Sequence, residues 1–142
     1  MPESAGYSGT PLAKKLGIKS GGRVGTVGTF GAPPHFPDIL ADLPDGVTLT
    51  AEPDAAVELD VAVLFSTSEV YLETRFTEIA ERLTSDGGLW VAWPKKSSPL
   101  ATELRESHVR SIGLASGLVD NKICAIDEDW SGLRFVRRLV DR

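Results

Sequence analysis

Asp60-Val61-Ala62-Val63-Leu64-Phe65, followed at once by Ser66-Thr67-Ser68-Glu69, decides the fold of this 142-residue chain. An apolar run without alternation is the pattern of a strand covered on both faces. The hydroxyl-x-x-Glu stretch behind it reads as a capping box, and Leu72, Phe76, Ile79, Ala80 and Leu83 then share one face at helical spacing. Gly87-Gly88 is expected to stop that helix. A covered strand feeding an amphipathic helix is the half-unit of a parallel sheet.

Working outward, Leu89-Trp90-Val91-Ala92-Trp93 is a second covered strand, closed by Pro94. Upstream, residues 23–29 and 47–52 read as strands. Short helices are expected at 10–17, with Thr10 as cap and Pro11 in the first turn, and at 36–43. Downstream, Ser98-Pro99 opens a helical region carrying Leu100, Leu104, Val109 and Ile112 and ending at Gly117. Residues 122–127 and 133–140 then form a hairpin across Glu128-Asp129-Trp130-Ser131-Gly132. The expectation is a single three-layer α/β domain over residues 10–142, preceded by a mobile tail at 1–9. Its sheet is mostly parallel with a C-terminal antiparallel hairpin and one antiparallel edge strand.

Composition removes several function classes. No apolar stretch approaches the roughly 18 residues of a membrane span. No basic segment followed by an apolar one opens the chain, and the lone Cys124 excludes an internal disulfide framework, so a reducing cytoplasm is expected. The net charge is −5, yet residues 1–23 carry +3, residues 24–60 carry −7 without a Lys or Arg, and residues 94–142 carry +2. An acidic chain without a concentrated basic face is a poor general nucleic-acid binder. The acidic stretch reads as a solvated face, with docking of a basic partner as the other option.

Ligands of open α/β sheets sit beyond the carboxyl ends of the strands. Here those ends are residues 28–35, 52–54, 65–68 and 93–98. Lys95 and Lys96 follow a buried strand and a proline on that rim, where two ammonium groups would hold a phosphate or carboxylate, with Arg134 assisting from the hairpin. His35 lies in a rim loop where an imidazole could serve as base or ligand, although a packing histidine is the simpler reading. His108 reads as exposed on a helix. Trp90 and Trp93, three residues apart, point to opposite faces of their strand, one into the core and the other onto the rim beside Lys95. Trp130 at a hairpin tip is read as a lid, as the contact of another subunit in a homodimer, or equally as a packed ring. Cys124 inside a strand reads as a small hydrophobe, the two histidines and one cysteine show no zinc spacing, and Asp127-Glu128-Asp129 reads as turn chemistry.

Leu16-Gly17-Ile18-Lys19 running through Gly22-Arg23-Val24, the 60–65 strand, Asp86-Gly87-Gly88-Leu89-Trp90-Val91 and the closing hairpin together resemble a small methyltransferase-type Rossmann fold. A more specific likeness is carried by four stretches. They are Pro11-Leu12-Ala13-Lys14-Lys15-Leu16-Gly17-Ile18, Trp90-Val91-Ala92-Trp93-Pro94-Lys95-Lys96, Gly117-Leu118-Val119-Asp120 and Trp130-Ser131-Gly132-Leu133-Arg134-Phe135-Val136. These resemble the short bacterial family catalogued as domain of unknown function 3052, a likeness that spans nearly the whole chain and implies no activity.

The methyltransferase likeness implies S-adenosylmethionine as cofactor, with Glu52, 24 residues after Gly28, in the place of a ribose-binding carboxylate. The cofactor loop departs from that pattern. Its glycines run Gly25-x-x-Gly28-x-x-Gly31 instead of G-x-G, and Ala32-Pro33-Pro34 with Pro37 removes backbone donors. The missing signatures favour a non-enzymatic binding or regulatory protein that recognises a small anionic ligand or an acidic protein segment at the rim, with no cofactor. The alternative is an S-adenosylmethionine-dependent methyltransferase with an atypical loop.

Overall fold

The computed structural model describes residues 11–28, 36, 40 and 43–142. The expected tail at 1–9, most of the helix at 36–43, Gly31 and His35 lie outside the described residues. The elements are α1 (Leu12–Lys15), β1 (Arg23–Gly28), β2 (Thr48–Ala51), β3 (Leu59–Phe65), α2 (Glu69–Ala80), β4 (Leu83–Pro94), α3 (Glu106–Ala115), β5 (Leu118–Ala125) and β6 (Trp130–Arg137), with a final 3₁₀ turn at Leu139–Asp141.

The six strands form one sheet in the order β2-β1-β3-β4-β6-β5. β1 to β4 pair in parallel, and β6 pairs antiparallel with both β4 and β5. The strand that runs against the others is therefore inserted between β4 and β5, not placed at the edge as expected. Crossovers on opposite sides of β1 put the topological switch point between β1 and β3, where Gly28 and Phe65 are register partners.

Strand alternation divides the core into two layers. One face of the sheet packs Leu64, Val91, Trp93 and Phe135 against Leu72, Phe76 and Ile79 of α2 and Val109 of α3. The other packs Val63, Phe65, Trp90 and Trp130 against Ala13 and Leu16 of α1, with Phe36 and Leu40. Trp90 donates its indole N–H to the Leu16 carbonyl at 3.0 Å, a buried bond that anchors the end of α1 to the sheet centre.

Several boundaries differ from the sequence reading, each for a local reason. The helix after β3 is capped by Ser68, whose hydroxyl accepts the Tyr71 N–H at 3.0 Å, so no Glu completes a reciprocal box. It ends at Ala80, and Gly87 and Gly88 stand inside β4. A Cβ on Gly87 would come within 3.0 Å of the Leu59 and Asp60 carbonyl oxygens, and one on Gly88 would collide with the Arg134 side chain. Backbone and guanidinium approach, not helix termination, accounts for this pair. Residues 98–105 are not helical because Ser98 and Thr102 hydroxyls accept the N–H groups of Leu100 and Leu104, competing with helix formation. β5 begins at Leu118 and β6 at Trp130, so the hairpin turn is shorter, closed by Asp127 Oδ1 accepting from Asp129 and Trp130 N–H at 2.8 and 2.9 Å.

Candidate functional site

The carboxyl ends of β1, β2 and β3 meet at Gly28, Glu52 and Phe65. Glu52 directly follows β2 with φ +45°, the one positive-φ residue other than glycine among the described residues. Such a conformation costs about 1–3 kcal/mol and persists only where surroundings impose it. The Glu52 N–H donates to the Thr26 carbonyl at 2.7 Å, extending the β1–β2 ladder and fixing that backbone. Its carboxylate is then bracketed. Oε2 accepts the Gly28 N–H at 3.2 Å, and Oε1 meets Arg75 Nη2 of α2 at 3.3 Å. Each oxygen keeps a lone pair, and the side chain is about half exposed, at 51%.

Arg75 also contacts Glu78 and donates to the Tyr71 hydroxyl at 3.0 Å. Burial pulls its guanidinium pKa down, but Glu78, Tyr71 and Glu52 together outweigh that and raise it above the ordinary arginine value. Burial pushes the Tyr71 phenol up, against the opposing charge of Arg75. Glu52 stands at the end of the second strand as expected, while its neighbour Arg75 was not expected; an arginine on the helix that follows β3 was the available signal.

Of the expected glycines, Gly28 closes β1 at the rim. Gly25 lies within β1 and serves packing instead, since a Cβ there would stand 2.9 Å from both Pro53 and Leu59 side chains.

Lys95 and Lys96 emerge at the end of β4, half-buried and exposed respectively. Their loop is pinned to the hairpin turn by Lys95 N–H donating to the Asp129 carbonyl at 2.7 Å and by the Ser98 hydroxyl donating to Asp129 Oδ1 at 2.8 Å. Among the described residues neither ammonium is in an ion pair. Arg134 does not assist them. It sits in the middle of β6 opposite Trp90 and Lys122 and extends toward the amino ends of the parallel strands, at the other end of the sheet.

The tryptophan expectations need two corrections. Trp90 and Trp93 do face opposite layers, but both are buried, so Trp93 packs in the α2–α3 core and does not line an open rim. Trp130 opens β6 opposite Pro94 and is only 8% exposed. Its ring meets Phe65 edge-on at 5.3 Å, and Phe65 meets Phe36 at 5.0 Å. This aromatic row packs beneath the rim, so Trp130 is a buried core residue and not an exposed loop tip. His108 is half-buried, and its Nδ1 accepts the Arg105 N–H at 3.0 Å at the start of α3. Beside it, a cavity of about 340 Å³ opens between Thr67, Ser68 and Thr102, a feature the sequence did not reveal.

This arrangement defines the class of fold. The chain has a Rossmann-like architecture, and its fold is similar to that of S-adenosylmethionine-dependent methyltransferases. It superposes on a SAM-dependent methyltransferase from Aquifex aeolicus with a TM-score of 0.65 and 16% identity over 87% of this chain and 86% of that one. It matches the Methanococcus jannaschii fibrillarin pre-rRNA processing protein at 0.61 and 14%, over 90% of this chain and 69% of that one. Magnesium protoporphyrin IX methyltransferase from Synechocystis with bound SAM gives 0.58 and 10%, over 89% and 74%. No family model matches the sequence, and no curated protein does. Among the described residues no helix is long and apolar enough to cross a membrane.

Proposed function

We propose that this chain binds an adenosyl ligand of the S-adenosylmethionine type across the carboxyl ends of β1, β2 and β3, with Glu52 accepting the ribose hydroxyls. The observation that carries this reading is the strained, bracketed Glu52 carboxylate at the end of β2. Its acceptor chemistry fits a vicinal diol, since both oxygens retain acceptor capacity. Gly28 supplies main chain without a side chain at the switch point. A fold neighbour, magnesium protoporphyrin IX methyltransferase, has SAM bound, which supports an adenosyl ligand, and open α/β sheets take ligands at the switch point.

When bound, S-adenosylmethionine supplies a methyl group on a sulfonium, which makes the chain a methyltransferase if an acceptor reaches the rim. The protein's own part is to bind and orient. Glu52 fixes the ribose, Arg75 holds the Glu52 carboxylate, and the Phe65–Trp130 row forms a rigid apolar floor. Cys124 as a free thiol suits a cytoplasmic location. Calorimetric titration of S-adenosylhomocysteine into the full chain tests the reading. Saturable binding that Glu52→Ala abolishes supports it, and equal binding by that variant removes Glu52 from the site.

Lys95 and Lys96 favour a second, non-enzymatic reading. Two ammonium groups outside any ion pair among the described residues, on a loop fastened to Asp129, suit capture of a small anionic ligand or an acidic protein segment.

A further inference from the structure

At the opposite end of the sheet a cavity of about 390 Å³ opens between the α1–β1 turn, the starts of β3 and β4, and the β5–β6 pair. Gly17, Lys19, Asp60, Asp86, Lys122 and Arg134 are among the residues lining it. Arg134 Nε is buried there with no hydrogen-bond partner, and among the described residues no carboxylate pairs with its guanidinium. A desolvated cation with an unfilled N–H is costly. Burial, together with nearby Arg142, pulls its pKa below the ordinary arginine value.

The backbone is arranged to keep Arg134 in this position. Gly88 lacks the Cβ that would collide with Nε and Cζ. Lys122 is the register partner of Arg134, so two cations stand opposite each other on neighbouring strands, where like charges repel. That pairing is produced by a bulge. Asp120 faces Phe135, the ladder then skips a residue, and Lys122 meets Arg134 instead of alternating away. Bulges re-aim side chains in this way beside functional sites.

The two acids do not neutralise the pair. Asp60 is committed to the start of β1, accepting the Arg23 N–H at 2.8 Å and the Thr84 hydroxyl at 3.3 Å. Asp86 is solvent-exposed, with Thr84 3.5 Å away.

We propose that this cavity binds a compact oxyanion, a carboxylate or phosphate group on a small molecule, held between the Arg134 guanidinium and Lys122. Such an anion would supply the charge partner that the Arg134 guanidinium lacks among the described residues. The site is separate from the adenosyl rim and stands whether or not that ligand binds.

The test is titration of the ¹⁵N-labelled full chain with sodium phosphate and, separately, with citrate, following the arginine Nε–H signals. The expected result is a saturable shift of the Arg134 signal. The apparent affinity should fall about tenfold or more in both Arg134→Gln and Lys122→Gln. Arg110→Gln, on the other face of the sheet, should bind as the parent does. The probe that binds more tightly tells a phosphate site from a carboxylate site. Lys122 is exposed, so Lys122→Gln keeps the proposal falsifiable if Arg134→Gln fails to fold. No saturable shift with either probe at about 20 mM, where a millimolar site is filled, overturns it. So does undiminished binding by Lys122→Gln.

Discussion

Arg75 Nη2 lies 3.3 Å from Glu52 Oε1 and so joins α2 to the end of β2. The partners are 22% and 51% exposed, so the pair is worth at most about 1 kcal/mol to folding. Its value is orientation: it holds the carboxylate against the Gly28 N–H with its remaining lone pairs free. Arg75→Met should leave the unfolding free energy within about 1 kcal/mol of the parent while weakening S-adenosylhomocysteine binding by about threefold to tenfold. Calorimetry on both proteins measures this, and equal affinity would show that Arg75 does not position Glu52.

Gly113 of α3 sits against the Phe135 ring, which in turn meets Phe76 edge-on at 5.3 Å. Helix propensity alone predicts that Gly113→Ala stabilises α3 by about 1 kcal/mol. The added methyl would overlap the ring, so the expected result is a net loss of about 1–3 kcal/mol, read from urea unfolding. A gain in stability would mean that α3 can lift from the sheet without cost.

Trp90→Phe removes the N–H donated to the buried Leu16 carbonyl. Leaving that oxygen unpaired should cost about 1–3 kcal/mol, with the slope of the denaturant curve unchanged. A loss below about 0.5 kcal/mol, the ordinary surface range, would show that water replaces the indole.

Burial raises the Cys124 thiol pKa, and Lys15 only partly opposes this. The folded chain therefore holds the proton to higher pH than the unfolded chain. That contribution to stability is complete below the ordinary thiol value of about 8.5 and is lost as pH rises toward the folded value. The parent should lose stability relative to Cys124→Ala as pH climbs above about 8.5, measured by unfolding of both proteins across that range. Parallel pH curves would contradict the sign.

The covered strands were legible in the sequence because apolar runs such as 60–65 and 89–93, too short to span a membrane and free of polar alternation, suit little but a strand buried on both faces. Glu52 was legible by its distance from Gly28. What escaped were features set by tertiary approach. Gly87 and Gly88 read as a helix stop because nothing local reveals that Arg134 and the Leu59 carbonyl crowd them. Trp130 read as a loop tip because the Asp127 turn is tighter than the five-residue loop its flanking residues suggest, which draws Trp130 into β6. Arg134 was placed with Lys95 because sequence shows that it lies on the hairpin but not toward which end of the sheet its side chain extends.

Lys95→Glu with Lys96→Glu tests the second reading. Both lie outside the core, so the melting midpoint should stay nearly constant while any capture of an anionic ligand or acidic segment is lost. Retained capture in a pull-down with an acidic peptide would end that reading.

Adenosyl binding is tested most directly by thermal denaturation of the full chain with and without saturating S-adenosylhomocysteine. A ligand at 100 times its dissociation constant adds about 2.7 kcal/mol, which should raise the midpoint by several degrees. The predicted result is that rise in the parent and its absence in Glu52→Ala. An unchanged midpoint in the parent would contradict adenosyl binding.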